Sequence, residues 1–371
     1  MNQDDFILMI CRAVLSGRQL HGTPLPHDLF AAAMKTADEQ TVSGLLTSTL
    51  MDPRHGVTLS KLDIAEAWAV NKSIVERNKV VREQLKALCL LFQQHGIRFV
   101  VVKGATIGQL YPDRDVRASG DIDFYLDAEN FSKARQLVTD EWDVEIEDGD
   151  EGDDEQHVLF YHEDVLFEMH FCLLKFASNS VQRVFDGMIA GSTDTFRTID
   201  GVEVPILAPA EELVYTFLHL YHHFIELGIG LRQICDMAVL LSSFPADAEM
   251  RKSVGTLLQQ LGFTLGFQVF EAICVDRLGV GEDKLPVALD AKARSYQAAA
   301  LDVVFQHGNF GQYGRNTAVR SGIEYYYEAL SRKVQQYWRF YRLSPSEARA
   351  VFFRNIPKKI FLAIRRTARN M

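Results

Sequence analysis

Apolar positions recur at three- and four-residue intervals from the start of the chain to about residue 95, as in Phe6, Met9, Ile10 and Ala13 and again in Val81, Leu85, Leu88 and Phe92. That period predicts amphipathic helices and needs no strand. The texture changes at His95-Gly96, a helix stop. It is followed by Ile97-Arg98-Phe99-Val100-Val101-Val102, a β-branched run expected of a buried strand, which Lys103-Gly104 ends. Further strands are predicted at Ile122 to Leu126, His157 to Tyr161 and Val165 to Cys172, with a helix at Phe131 to Val138. Thr195 to Ile199 and Val202 to Ile206 read as a hairpin around Asp200-Gly201, and Pro205 marks its second strand as an edge. After Pro209 the helical period returns, with Glu211-Glu212 suited to a first turn and Leu213, Phe217, Leu220 and Phe224 on one stripe.

The pattern predicts an α+β protein, with a small mixed β-sheet core flanked by helical N-terminal and C-terminal regions. The boundaries drawn from it are 1–75 for the first helical region, 76–207 for the core and 208–371 for the second. No internal repeat or long low-complexity linker interrupts it. The most biased segment, Asp140 to Glu155, reads as a solvated hairpin loop and lacks the ligand spacing of an EF-hand.

Composition adds few constraints. At 371 residues, 47% hydrophobic and 24% charged, the chain is of ordinary globular make-up and long enough for two domains or one core with large additions. Its net charge of -10 argues against sequence-blind adhesion to nucleic acid or anionic membrane, so a polyanionic ligand needs local basic groups or a metal ion. The acidic start Met1-Asn2-Gln3-Asp4-Asp5 is unlike a secretory signal, and no apolar run approaches the roughly 18 residues of a membrane span, so a cytoplasmic protein is expected. Cys11, Cys89, Cys172, Cys235 and Cys274 are scattered and form no Cys-x-x-Cys pair, which predicts reduced and mostly buried thiols.

The candidate chemistry sits in Gly120-Asp121-Ile122-Asp123. Strand parity puts Asp121, Asp123 and Tyr125 on one face and Ile122, Phe124 and Leu126 on the other. Adjacent carboxylates repel unless a divalent cation lies between them, so Asp-x-Asp suits magnesium; the alternative is an amphipathic strand with exposed acids. In Val165 to Phe171 the odd-numbered residues make an apolar face and Glu168 shares the other with His170. If that strand neighbours the first, Glu168 becomes a third ligand; otherwise it is the solvent face of an edge strand. Lys103-Gly104, before a predicted helix at Ala105 to Leu110, would bring backbone amides to phosphate. Arg114, Arg117 and Ser119 lie on the approach to the acid pair.

Together Lys103-Gly104, Tyr111-Pro112, Arg117, Gly120-Asp121-Ile122-Asp123 and Glu168 resemble the nucleotidyltransferase superfamily with its polymerase-beta-like core, and within it the bacterial family of uncharacterised nucleotidyltransferases. His219, His223-Phe224, Gly230-Leu231-Arg232 and Asp236 match that family's downstream pattern, and the likeness runs from about Asn78 to Met237. The resemblance implies transfer of a nucleoside monophosphate from an NTP, with ATP expected, and release of pyrophosphate. Asp121, Asp123 and Glu168 would hold two Mg2+ ions, or Mn2+; Lys103, Gly104, Arg117 and Gly120 would bind the nucleotide. His219, His223, Arg232 and Asp236 would contact the cleft or the acceptor. The acceptor is a hydroxyl or phosphate of a small molecule, carbohydrate intermediate or protein ahead of RNA. Ala105 departs from the pattern, because many members have a phosphate-holding serine after the turn glycine. Two other readings stand beside this one: an inactive nucleotide-binding sensor or scaffold, and a toxin-like tRNA nucleotidyltransferase, against which the acidity weighs.

Other features have plainer readings. His219, His222 and His223 invite zinc by their spacing, yet no His-Glu-x-x-His surrounds them and a seam between helices and core is expected. Arg232 and Asp236 read as an i, i+4 helix pair. Phe352 to Arg369, with Lys358, Lys359, Arg365, Arg366 and Arg369, forms a basic amphipathic stretch able to lie on an anionic membrane or RNA, with simple packing as the alternative. Tyr325-Tyr326-Tyr327, Tyr337-Trp338 and Phe340-Tyr341 read as core rather than a base-stacking platform.

Overall fold

The computed structural model describes residues 3–20, 25–148, 156–309, 331 and 333–357. Four helices come first: α1 (Gln3–Ser16), α2 (His27–Glu39), α3 (Ser43–Met51) and the 34-residue α4 (Lys61–Gln94). Ser60 caps α4 by accepting from the Asp63 N–H, which satisfies one of the donors a helix start leaves free. Val81, Leu85, Leu88 and Phe92 are buried along one stripe of α4, and Phe92 meets Phe99 and Phe124 edge-to-face at 5.0 and 5.7 Å between ring centroids.

Strand β1 (Val100–Val102) leads through the short α5 (Gly104–Gly108) to β2 (Asp121–Tyr125), then α6 (Ala128–Trp142), β3 (Glu147–Asp148), β4 (His157–His162) and β5 (Val165–His170). The sheet order is β1-β2-β5-β4-β3; β2 and β5 are parallel and every other pair is antiparallel. Ile122, Phe124, Val158, Phe160, Val165, Phe167 and Met169 turn one face of the sheet into a core shared with α4 and with Ala134 and Val138 of α6. The opposite face carries the polar residues.

Helix α7 (Asn179–Ala190) precedes a hairpin of β6 (Thr195–Ile199) and β7 (Val202–Ile206). Its turn residues Asp200 and Gly201 have φ of 46° and 80°, the positive values that a two-residue turn matched to strand twist requires. The chain then becomes helical: α8 (Pro209–Glu226), α9 (Leu231–Ser243), α10 (Ala248–Leu261), α11 (Thr264–Leu278), α12 (Ala291–Ser295) and α13 (Gln297–His307). These bury Leu213, Phe217, Leu220 and Phe224 in a second hydrophobic core that also takes in Phe6, Ile10, Phe30 and Leu46. The two helical regions, far apart in sequence, therefore share one interior. Gln40 stitches them, donating from Nε2 to Val304 O at 3.1 Å while its Oε1 accepts from Leu231 N at 3.1 Å.

The α+β expectation holds, with differences at element ends. Ile97 to Phe99 precede the first strand rather than join it, and α5 stops at Gly108. Asp140 to Trp142 close α6 and Glu147–Asp148 pair with β4, so part of the acidic segment is regular structure; its residues 149–155 lie outside the described residues. Tyr337 and Phe340 are core, whereas Trp338 is 76% exposed; Tyr325 to Tyr327 and the basic stretch from Lys358 lie outside the described residues. All five cysteines are free and four are buried, Cys172 being half-buried. Among the described residues no helix is long and apolar enough to cross a membrane.

Gly44 lets α3 lie against the loop before β2, since a Cβ there would sit 2.1 Å from Val116 O, whereas one on Gly187 in α7 would meet nothing within 4 Å. Gly44→Ala should lower stability by about 1–3 kcal/mol through overpacking. Gly187→Ala should leave stability unchanged or raise it by up to about 1 kcal/mol, because alanine is the better helix former. Urea denaturation of the two variants beside the parent chain checks both signs.

Candidate active site

Register builds the site. Along the β2–β5 pair Asp121 stands opposite Leu166, Asp123 opposite Glu168 and Tyr125 opposite His170. Facing residues in paired strands share a side of the sheet, so Asp121, Asp123, Glu168 and His170 project together from the face opposite the α4 core. Asp123 is 4% exposed; Asp121 and Glu168 keep partial exposure. The two acids of β2 and the acid of β5 thus come onto one face.

Asp123 is the electrostatic centre. Lys103 Nζ lies 2.9 Å from its Oδ1 and His170 Nε2 lies 3.1 Å from the same oxygen, with Glu168 Oε2 3.4 Å from that nitrogen. Burial works against ionisation, but Lys103 and His170 overcome it and hold the Asp123 carboxyl well below the usual range. Burial also opposes the His170 cation, and its hydrogen bonds with Asp123 and Glu168 nonetheless push its pKa up. The neighbouring acids move the other way: burial and then the charge of Asp123 raise both Asp121 and Glu168. This crowding of negative charge suits a divalent cation, and three carboxylates are the oxygen donors magnesium takes.

Lys103 reaches this position through a strained backbone, with φ 58° and ψ −150°, a conformation nearly confined to glycine and costing about 1–3 kcal/mol. Gly104 follows at φ 47°, and a Cβ there would lie 3.5 Å from Asp121 O. Two consecutive positive-φ residues turn the chain from β1 into α5. Burial disfavours the Lys103 ammonium, yet Asp123, Tyr215, Glu168 and Asp121 together raise its pKa above the ordinary lysine value. Helix α5 has only five residues, so the phosphate site expected at its start has little helix behind it. Ala105 is buried in the core beneath the sheet and does not line the cleft.

From α8, His219 Nε2 lies 3.0 Å from Lys103 Nζ and 3.1 Å from His223 Nε2. Lysine has no acceptor, so His219 Nε2 accepts from Lys103 and also receives the His223 Nε2–H. Both rings are neutral: burial followed by the Lys103 charge holds His219 well below its ordinary pKa, and burial with His222 takes His223 down to about 3. His222 turns instead toward Glu226, at 3.7 Å. His219 and His223, one turn apart, do meet, but the nitrogen they share faces the Lys103 ammonium, and His222 points away.

Arg117 is buried and clamped to Asp236 of α9, with Nε and Nη2 each 2.7 Å from a carboxylate oxygen, while the Tyr111 hydroxyl donates to Asp236 Oδ1 at 2.7 Å. This corrects the expected i, i+4 pair. Asp236 reaches across to Arg117, whose fork it meets with both oxygens, and Arg232 donates to Ala118 O at 2.8 Å. Lys103, Gly104, Arg117, Asp121, Asp123, His219, Arg232 and Asp236 line one cleft between the sheet and α8–α9. Gly120 lies at its edge, its carbonyl accepting from Arg77 Nη2 at 2.9 Å. His223 stands behind His219.

Sequence reasoning missed the frame around the acid strand. Asn78 on α4 donates to Asp115 O and Arg117 O at 2.7 and 2.8 Å and accepts from Ser119 N at 3.1 Å. Arg82 pairs with Asp115 at 2.6 Å and with Asp200 at 3.2 Å. The available signal was two polar residues, 78 and 82, one turn apart beside the apolar stripe of α4.

Residues 29–276 match the model of a family described as "Uncharacterised nucleotidyltransferase". The chain belongs to this family. Membership supports a nucleotidyl transfer role. The chain is also similar to a solved structure, an antigenic nucleotidyltransferase-like protein from Paracoccidioides brasiliensis, at 17% identity and a TM-score of 0.32, covering 50% of this chain and 88% of that one. No curated protein matches.

Two outcomes follow from this geometry. Asp236→Asn should cost about 3–5 kcal/mol in denaturant unfolding, since it leaves the buried Arg117 guanidinium without its counter-charge. Because His219 and His223 have folded pKa values below the unfolded value, their contribution is complete above about pH 6.5. It falls as the pH drops below that, for His223 down to about pH 3, as the unfolded chain takes up protons that the native one refuses. Unfolding free energy measured from pH 7 to pH 4 should therefore fall less steeply in His223→Gln than in the parent.

Proposed function

We propose that the chain is a magnesium-dependent nucleotidyltransferase that moves a nucleoside monophosphate from an NTP to an acceptor oxygen. The observation that carries this reading is the register of Asp123 with Glu168. It gathers three carboxylates on one face, two of which, Asp121 and Asp123, line a cleft that also holds Lys103, Arg117 and Arg232. Asp121, Asp123 and Glu168 would hold the metal. Bound there, Mg2+ would neutralise phosphate charge and lower the pKa of the acceptor hydroxyl.

The chain's own groups do the rest. Glu168, with its raised pKa, is the base that takes the acceptor proton. The acceptor oxygen bonds to the α-phosphorus while the bond from that phosphorus to the bridging oxygen breaks, and pyrophosphate leaves with the electron pair. Lys103, fixed by the neutral His219, and Arg232 offset the triphosphate charge; Arg117 is committed to Asp236 and acts by holding the loop before β2. ATP is the expected donor. A small molecule, carbohydrate intermediate or protein is a better acceptor candidate than RNA, given a net charge of -10.

Purified protein incubated with Mg2+, each labelled NTP and cell extract should release pyrophosphate and label a product. Asp121→Asn and Asp123→Asn should each lower that rate by roughly a hundredfold or more, the scale of losing several kcal/mol of charge stabilisation. NTP binding without pyrophosphate release in any mixture would move the assignment to a nucleotide sensor.

A further inference from the structure

Beside the acid pair, β4 and β5 assemble a different set of donors. His157 stands opposite His170 in the antiparallel register, and Glu168 lies two residues before His170 on the same strand, so the three side chains share a face. One ligand atom from each lies within 4.8 Å of the other two, the one such set of three among the described residues. The two imidazole rings are 4.9 Å apart and tilted by 51°. His170 is buried, and its Nδ1 has no hydrogen-bond partner. Its Nε2 faces Asp123 Oδ1 at 3.1 Å, the kind of carboxylate contact that orients a metal-binding imidazole.

We propose that His157, Glu168 and His170 form a transition-metal site that takes Zn2+, beside the proposed magnesium position of Asp121, Asp123 and Glu168 and sharing Glu168 with it. Two imidazoles and one carboxylate are borderline-soft donors, whereas Mg2+ prefers an all-oxygen octahedron and keeps much of its water. Three protein ligands with a fourth position open is an arrangement zinc adopts. Ligand atoms about 2.0–2.2 Å from a tetrahedral Zn2+ lie roughly 3.4 Å apart, so donors within 4.8 Å of one another need to close by at most about 1.4 Å on binding. His157 is half-buried at the start of β4. The proposal shares Glu168 with the reading above, but its test needs no turnover and stands or falls by metal binding.

Full-length protein stripped with a chelator is titrated with Zn2+ by calorimetry and with Co2+ by optical spectroscopy, in the presence of millimolar Mg2+. The parent chain should bind one equivalent of Zn2+ and show tetrahedral cobalt bands. His157→Ala should weaken Zn2+ by about a hundredfold or more, at least the effect of removing a supporting outer group, while Asp121→Asn should bind as the parent does. His157 is not part of either hydrophobic core, and circular dichroism confirms that its variant is folded. No saturable Zn2+ binding by the parent, equal binding by His157→Ala, or a thiolate-to-cobalt charge-transfer band assigning the ion to a cysteine would each overturn the proposal.

Discussion

A carboxylate that stays charged while almost fully buried must be surrounded by compensating groups, and Asp123 imposes that requirement on everything near it. Lys103 and His170 approach the same oxygen from different strand ends. Lys103 accepts a backbone conformation suited to glycine to do so. His219 remains neutral and accepts a hydrogen bond from that ammonium, while His223 supports His219 from one turn further along α8. The distances among these groups, 2.9 to 3.1 Å, describe one connected network rather than a set of independent contacts. The strain at Lys103 is tolerated because the surrounding partners over-determine its position.

The network also explains how sheet and helices are held together. The sheet has its own hydrophobic core with α4 and α6, while the first and last helices share another. Between them runs a polar seam in which Asp236 of α9 grips Arg117 of the loop before β2, and Arg232 holds Ala118 O. Asn78 and Arg77 fasten the same loop from α4. The acid strand therefore enters the sheet from a loop braced on both sides, which keeps Asp121 and Asp123 at the cleft floor. A cleft lined by both acids and cations is suited to a ligand that carries phosphate together with a metal ion.

Opposite pKa directions within this one cluster separate the roles. Asp123 is held ionised by its cations, whereas Asp121 and Glu168 share an excess of negative charge. A group with a raised pKa beside a fixed anion is suited to receiving a proton. The same crowding makes Glu168 a donor available on two sides, toward the β2 acids and toward the imidazoles of His157 and His170. Its position between two parallel-facing and antiparallel-facing strands is the structural reason.

Much of this was legible in the residues. Period-2 alternation assigned Asp121, Asp123 and Glu168 to polar faces, the three- and four-residue period marked the helical regions, and the motif set pointed to the family that the chain proved to belong to. Those are local properties: side-chain parity along a strand and the repeat of a helix follow from backbone geometry alone. Partner choice is not local. Parallel pairing of β2 with β5, which puts Asp123 opposite Glu168, depends on a crossover packing and a register chosen by the buried face. The exchange of Arg232 for Arg117 as the partner of Asp236 depends on how α9 meets a loop more than a hundred residues earlier in the chain. The meeting of His157 with His170 likewise needs the β4–β5 register. Sequence determined which residues carry charge and which way each one faces; tertiary structure decided which charges meet, because burial and pairing bring together groups that no spacing along the chain relates.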